Sequence, residues 1–227
     1  MKKTKIDWCD CTINPVIGCK NHCEYCYAKK INDRFKFITD WHEPKFFPER
    51  LEQLKSKKPK SIFMNSMSDI GWWEEDWGQK VYNEMSKNPQ HNYIFLTKGH
   101  HSYPCGMNTI WNLKECYKNR NIFIGKTITH NRQFNCSEQY DFLSIEPLLE
   151  PIDISTLGYS LYTKQVIIGA ETGNRKGKII PKKEWVLDIV QNCDEHNIPV
   201  FMKESLREIM GKDFRQDTLI WDVNNRR

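Results

Sequence analysis

Ser61-Ile62-Phe63-Met64-Asn65-Ser66-Met67-Ser68-Asp69 is a short apolar run that empties into polar side chains. It is too short for a helix and is bounded by polar residues, as a buried parallel strand is. Similar runs follow at Tyr93-Ile94-Phe95-Leu96, Ile122-Phe123-Ile124-Gly125, Phe142-Leu143-Ser144-Ile145, Val166-Ile167-Ile168-Gly169 and Pro199-Val200-Phe201-Met202. Helix-like segments lie between them. Trp77 to Lys87 is one; Lys182 to His196 is another, with Trp185, Ile189 and Cys193 at helical spacing and Pro181 near its start. This alternation predicts an α/β fold with a parallel sheet. Six or seven strands predict a partial (βα)6-type parallel barrel, a single domain over residues 1–227.

Barrels of this kind place their chemistry at the C-terminal ends of the strands. The residues just after each run are Ser66 to Asp69, Thr97-Lys98, Lys126-Thr127, Glu146, Glu171-Thr172 and Lys203-Glu204.

The chain has 227 residues, of which 39% are hydrophobic and 12% aromatic, enough for a sizeable core. No stretch approaches the ~18 apolar residues of a membrane span. Basic residues at Met1-Lys2-Lys3-Thr4-Lys5 are not followed by an apolar segment, so the expectation is a cytoplasmic protein without a secretory signal. Nine cysteines are an odd number and cannot all pair. In a reducing compartment, clustered cysteines point to metal or redox chemistry. A net charge of +5 permits an anionic partner without demanding one.

The cysteines cluster in Gly18-Cys19-Lys20-Asn21-His22-Cys23-Glu24-Tyr25-Cys26-Tyr27. The spacing C-x3-C-x2-C suits an iron–sulfur cluster held by Cys19, Cys23 and Cys26, with one iron left without a protein ligand. An open metal position is where a cofactor or substrate binds directly. The competing reading is a structural zinc site, which needs a fourth ligand from His22 or Cys11. Cys105, Cys116 and Cys136 lack metal-like spacing.

This loop, with Tyr25 before its last cysteine, resembles the cluster loop of the radical SAM superfamily. Other blocks narrow the likeness: Ile6-Asp7-Trp8, Asn14-Pro15, Ile62 to Asp69, Phe95-Leu96-Thr97-Lys98, Leu143-Ser144-Ile145-Glu146-Pro147-Leu148-Leu149, Ile168 to Gly173, and Pro199 to Lys203. Together they resemble a radical-SAM-like family of unassigned function, frequently encoded by phages and mobile elements. The sequence departs from that pattern at Cys9, Cys11, Lys98-Gly99-His100 and Gly169-Ala170-Glu171-Thr172-Gly173.

The resemblance implies a [4Fe–4S] cluster after the first strand that reductively cleaves S-adenosylmethionine (SAM). The 5′-deoxyadenosyl radical then removes a hydrogen atom from an unidentified substrate. It also implies an electron donor such as flavodoxin or ferredoxin. Ser66, Ser68 and Asp69 are expected to receive the methionine end of SAM, with Asp69 attracting its ammonium. Lys98 and Lys126 are expected to take its carboxylate; Glu146 is expected to bind ribose or substrate. Glu171 joins the cofactor-binding set, and Tyr25 is expected to pack on the cluster or SAM. Each has a plainer reading. Asp69 is also a strong helix cap, Lys98 a solvated charge, Glu146 a partner for Lys98 or Lys126, and Tyr25 a core aromatic. Cys9 and Cys11 alternate along a strand-like segment and are expected to point the same way, as catalytic thiols or as small core residues.

The substrate is less legible. Lys55 to Lys60, Arg175 to Lys183 and Arg226-Arg227 are basic, and Trp72, Trp73 and Trp77 form an aromatic run. Such patches grip nucleic acid, and they also occur as ordinary solvated faces. A different class of function is a non-catalytic, metal-bearing nucleic-acid-binding or phage host-interaction protein.

Overall fold

The computed structural model describes residues 4–99, 106–116, 118–134, 139–156 and 162–222. Cys105, Cys136, Arg226 and Arg227 lie outside the described residues. The fold is mixed α/β and divides into two compact units, Met1–Ile124 with Trp221–Arg227, and Gly125–Ile220.

In the first unit three strands run parallel: β1 (Cys11–Thr12), β4 (Ser61–Phe63) and β5 (Asn92–Thr97). Ile62 stands beside Cys11 on one side and Tyr93 on the other. A small antiparallel ribbon, β2 (Val16–Ile17) with β3 (Lys45–Phe46), flanks helix α1 (Tyr27–Phe35) in the chain. Helix α2 (Glu75–Ser86) opens with Glu75 and Asp76, which favour its positive N-terminal end. It buries Gly78, Val81, Tyr82 and Met85, one face at helical spacing. Helix α3 covers Gly106–Cys116.

Trp221 belongs to this unit and is fully buried. Its indole N–H donates to the Trp8 carbonyl at 2.8 Å. Its own carbonyl accepts from Ser61 Oγ and Asn92 Nδ2. The last described turn of the chain is thereby fastened to the starts of β4 and β5.

β6 (Ile122–Ile128) begins in the first unit and ends in the second. There it pairs in parallel with β7 (Phe142–Ile145), followed by β8 (Val166–Ile168) and β9 (Val200–Met202). Helix α4 (Lys183–Glu195) buries Val186, Ile189 and Cys193 in the core of this unit, with Leu143, Ile145, Ile168, Val200 and Met202. Each such aliphatic side chain contributes roughly 1.5–3 kcal/mol by leaving water. A four-residue helix α5 (Arg207–Met210) follows β9.

The apolar runs read from the sequence are thus β4 to β9, with ends shifted by a residue or so. β6 is the exception. The sequence ends it at Gly125, but it continues through Ile128, so Lys126 sits inside the strand, not after it. Gly125 is no stop signal. A Cβ there would lie 2.3 Å from the ring of buried Phe142, so the position must lack a side chain. Cys9 also differs from expectation. Only Cys11 is on β1, and Cys9 lies in the bend before it, where Asp10 pairs through its backbone and carboxylate with Ser61. The two thiols therefore do not alternate along one strand. Among the described residues no helix is long and apolar enough to cross a membrane.

Candidate metal centre

The cysteine loop lies between β2 and α1 and is clamped at its entry. Gly18 has φ +109°, and a Cβ there would come within 2.8 Å of Pro44 Cα, so glycine alone fits. Gly18 N–H donates to the Met67 carbonyl and Cys19 N–H to the Trp41 carbonyl. Cys19 Sγ accepts from Asn21 N–H at 3.4 Å. Cys26 caps α1, its Sγ accepting from Lys29 N–H at 3.3 Å. Cys19 is buried, and Cys23 and Cys26 are half-buried. Burial, and next the Asp69 carboxylate, push the Cys19 thiol up to about 12; burial also raises Cys26. Such thiols ionise when a metal supplies the compensating charge, so a metal bound by them would displace protons.

Behind the loop, hydrogen bonds of Asn21, Asp69, Lys98 and Tyr25 make a path that starts and ends in the loop. Asp69 Oδ2 accepts from Asn21 Nδ2 at 2.8 Å and from Lys98 N–H at 2.9 Å. Lys98 Nζ donates to Tyr25 Oη at 2.9 Å, returning the path to the loop. Asp69 Oδ1 caps the turn Ile70–Trp72 through Gly71 N–H. Trp72 Nε1 donates to Asn21 Oδ1 at 2.8 Å. Burial opposes the charge of Lys98, but the Tyr25 phenol, then Cys23 and Asp69, outweigh it and hold the ammonium above its ordinary value. The helix-cap reading of Asp69 holds, and the residue also joins the loop to the ends of β4 and β5.

Ser66 Oγ donates to Asn14 Oδ1, an atom that also accepts from Met67 N–H. Ser68 Oγ accepts from the Trp73 indole. Trp73 packs edge-on against Phe95, and Trp77 stacks on Phe46. The tryptophan run is therefore engaged in the first unit itself. Sequence reasoning gave Asn14 and Asn21 no role, although Asn14 lies in the Asn14-Pro15 block and Asn21 within the cysteine loop.

The remaining candidates belong to the second unit. The partner of Glu146 in this unit is Lys203, whose Nζ meets its Oε1 at 2.6 Å, and Ser144 Oγ donates to Oε2. Gly169 makes room, since a Cβ there would sit 2.9 Å from Lys203 Cδ and 3.3 Å from Glu146 Cβ. Lys126 is buried, with Nζ 5.9 Å from the Tyr140 ring centre. Glu171 is buried and held by both arms of Arg175, at 2.7 and 2.9 Å. Lys203 was legible as a strand-end residue, but its partner was not.

The donor set fits an iron–sulfur cluster. Three thiols share one short loop, and backbone amides of the loop (Asn21) and of α1 (Lys29) already point at two of the sulfurs. Trp41 packs in the same core as Cys19, and its buried indole N–H has no acceptor among the described residues. Among the described residues no three His, Cys, Asp or Glu converge as a single-ion site. The thiolates of a cluster bind different irons and need not meet at one point. His22, one of the two suggested fourth zinc ligands with Cys11, stacks on His42 with ring centres 4.3 Å apart.

Residues 3–212 match the family described as protein of unknown function (DUF5131). No curated protein matches the chain, and no solved structure does.

Proposed function

We propose that this chain, which belongs to the DUF5131 family, is a radical SAM enzyme whose [4Fe–4S] cluster is held by Cys19, Cys23 and Cys26. The observation that carries the reading is the C-x3-C-x2-C loop itself, with backbone amides bonded to the sulfurs of Cys19 and Cys26 and Lys98 charged beside it. When bound, the cluster supplies the electron that breaks a carbon–sulfur bond of SAM and so yields a radical able to take a hydrogen atom from a substrate.

This chain's own residues have narrower tasks. Asp69 accepts three protein hydrogen bonds, and its carboxylate offers about four acceptor sites, so one remains for the SAM ammonium. Lys98 offsets the negative charge of the thiolates and orients Tyr25. Ser66 and Ser68 border the same strand end. The parallel strands supply the kind of frame from which a partial barrel is built. The reading entails a reducing compartment such as the cytoplasm and a one-electron donor such as flavodoxin or ferredoxin. The substrate class proposed is a nucleoside or nucleic acid, the second of which a net charge of +5 permits. Cys9, Cys11, Glu146, Lys126 and Glu171 carry no step in it.

The test is anaerobic reconstitution of the full chain with iron and sulfide, then reductant and SAM. The expected result is about four irons and four sulfides per chain, a brown chromophore and release of 5′-deoxyadenosine. Cys23→Ala is expected to lose iron, whereas Cys9→Ser and Cys11→Ser keep it. Stoichiometric zinc, or an iron-loaded chain that never releases 5′-deoxyadenosine, would end the proposal.

A further inference from the structure

Helix α1 is amphipathic the wrong way round. It buries Ala28 and Asn32, while Tyr27, Ile31 and Phe35, spaced four residues apart along one stripe, face solvent at 49%, 37% and 59% exposure. Lys36 ends the helix with φ +53°, and Phe37 follows at 45% exposure. The Phe35 and Phe37 rings stack 5.9 Å apart at 28°. Half of the eight exposed large hydrophobics among the described residues thus fall within eleven positions, so the patch is not random scatter.

Cations sit on these rings. The Arg34 guanidinium is 5.1 Å from the Phe35 ring centre. Arg50 lies 5.9 Å from Phe37 and 4.7 Å from Phe47. Lys30, Arg34 and Lys36 are exposed, and Asp33, the one acid on the helix, is paired with Lys29. Exposed Lys30 and Lys36 border the aromatics, and lysine is depleted from protein interfaces, which argues against a protein partner. Exposed rings interleaved with Lys and Arg are the make-up of a stacking platform for single strands.

We propose that the outer face of α1, continued by Phe37, binds single-stranded nucleic acid. Bases stack on Phe35 and Phe37, and Lys30, Arg34 and Lys36 take the phosphates. The stripe from Tyr27 to Phe35 is about 12 Å long by helical rise, room for two or three nucleotides. The inference goes beyond the cluster reading and rests on none of it, because the face is complete whatever the cysteines hold.

The experiment is fluorescence anisotropy with the full chain and labelled oligo-dT and oligo-U of about 12 nucleotides, at about 50 and about 200 mM salt. Single strands are expected to bind more tightly than the matching duplex and to weaken as salt rises. Phe35→Ala with Phe37→Ala should weaken binding about tenfold or more, with circular dichroism and melting unchanged. Lys30→Glu with Arg34→Glu should weaken it and flatten the salt dependence. The proposal is overturned by no binding, by binding that survives the Phe35/Phe37 change, or by preference for duplex. It is equally overturned by self-association that the same change abolishes, which would assign the face to a second copy of the chain.

Discussion

Asn21, in the middle of the cysteine loop, donates its side-chain amide to Asp69, at the end of the β4 segment, over 2.8 Å. Asp69 gathers two further donors from Gly71 and Lys98, so a single buried carboxylate sets the loop's position against two strand ends. Asp69→Ala leaves all three donors without their acceptor and is expected to cost about 3 kcal/mol, against about 1 kcal/mol for Asn21→Ala. Because the residues share a bond, the double variant should cost less than the sum. Urea unfolding of the four proteins checks this. Equal costs for the two single changes would remove Asp69 from its place as the hub.

The strands and the cysteine loop were legible because each rests on local sequence. Phe142 to Ile145 is buried at every position and reads as one apolar run. The cap by Asp69 was legible, since capping is a local property; its bonds to Asn21 and Lys98 were not. What stayed hidden was pairing across the chain. Nothing near Glu146 points to Lys203, 57 residues on, and nothing near Trp8 points to Trp221. Lys126 misled for a different reason. A lysine after glycine looks like the end of a strand, yet Ile122, Ile124, Lys126 and Ile128 are all buried at a spacing of two.

Gly125 is required by the ring of Phe142. A methyl group at 125 would lie 2.3 to 2.5 Å from three ring carbons, and Phe142 has no solvent into which to move. Gly125→Ala is therefore expected to destabilise by about 1–3 kcal/mol through overpacking. Adding Phe142→Leu should recover part of that loss even though it removes apolar area. Thermal unfolding of the single and double variants decides it. No recovery would mean that the strain lies elsewhere than the ring.

Trp221 is the anchor of the chain's last described turn. It is fully buried, lies against Trp8 and Phe123, and donates to the Trp8 carbonyl. Trp221→Ala is expected to cost about 3–5 kcal/mol. Trp221→Phe keeps most of the volume and should cost only about 1–2 kcal/mol for the lost hydrogen bond and small void. Far-UV circular dichroism against urea measures both. An alanine variant within about 1 kcal/mol of the parent chain would show that the contact adds little to stability.

Glu171 gives an acid-dependent contribution whose sign is fixed. The hydrogen bonds from Arg175 hold its carboxylate below the ordinary range, against the opposing effect of burial. A carboxylate depressed in the folded state stabilises above its unfolded value, about 4.3, and that stability is lost as pH falls through the folded value. Glu171→Gln should therefore be less stable at pH 7, by about 1–2 kcal/mol because Arg175 is partly screened by solvent. Below the folded value both chains carry a neutral side chain at 171, and the gap between them should narrow. Urea midpoints taken from pH 7 down to about 3 follow it. If the two stabilities stay parallel throughout, the Arg175 clamp is not what sets the ionisation of Glu171, and the loop from Glu171 to Gly177 owes its shape to its backbone alone.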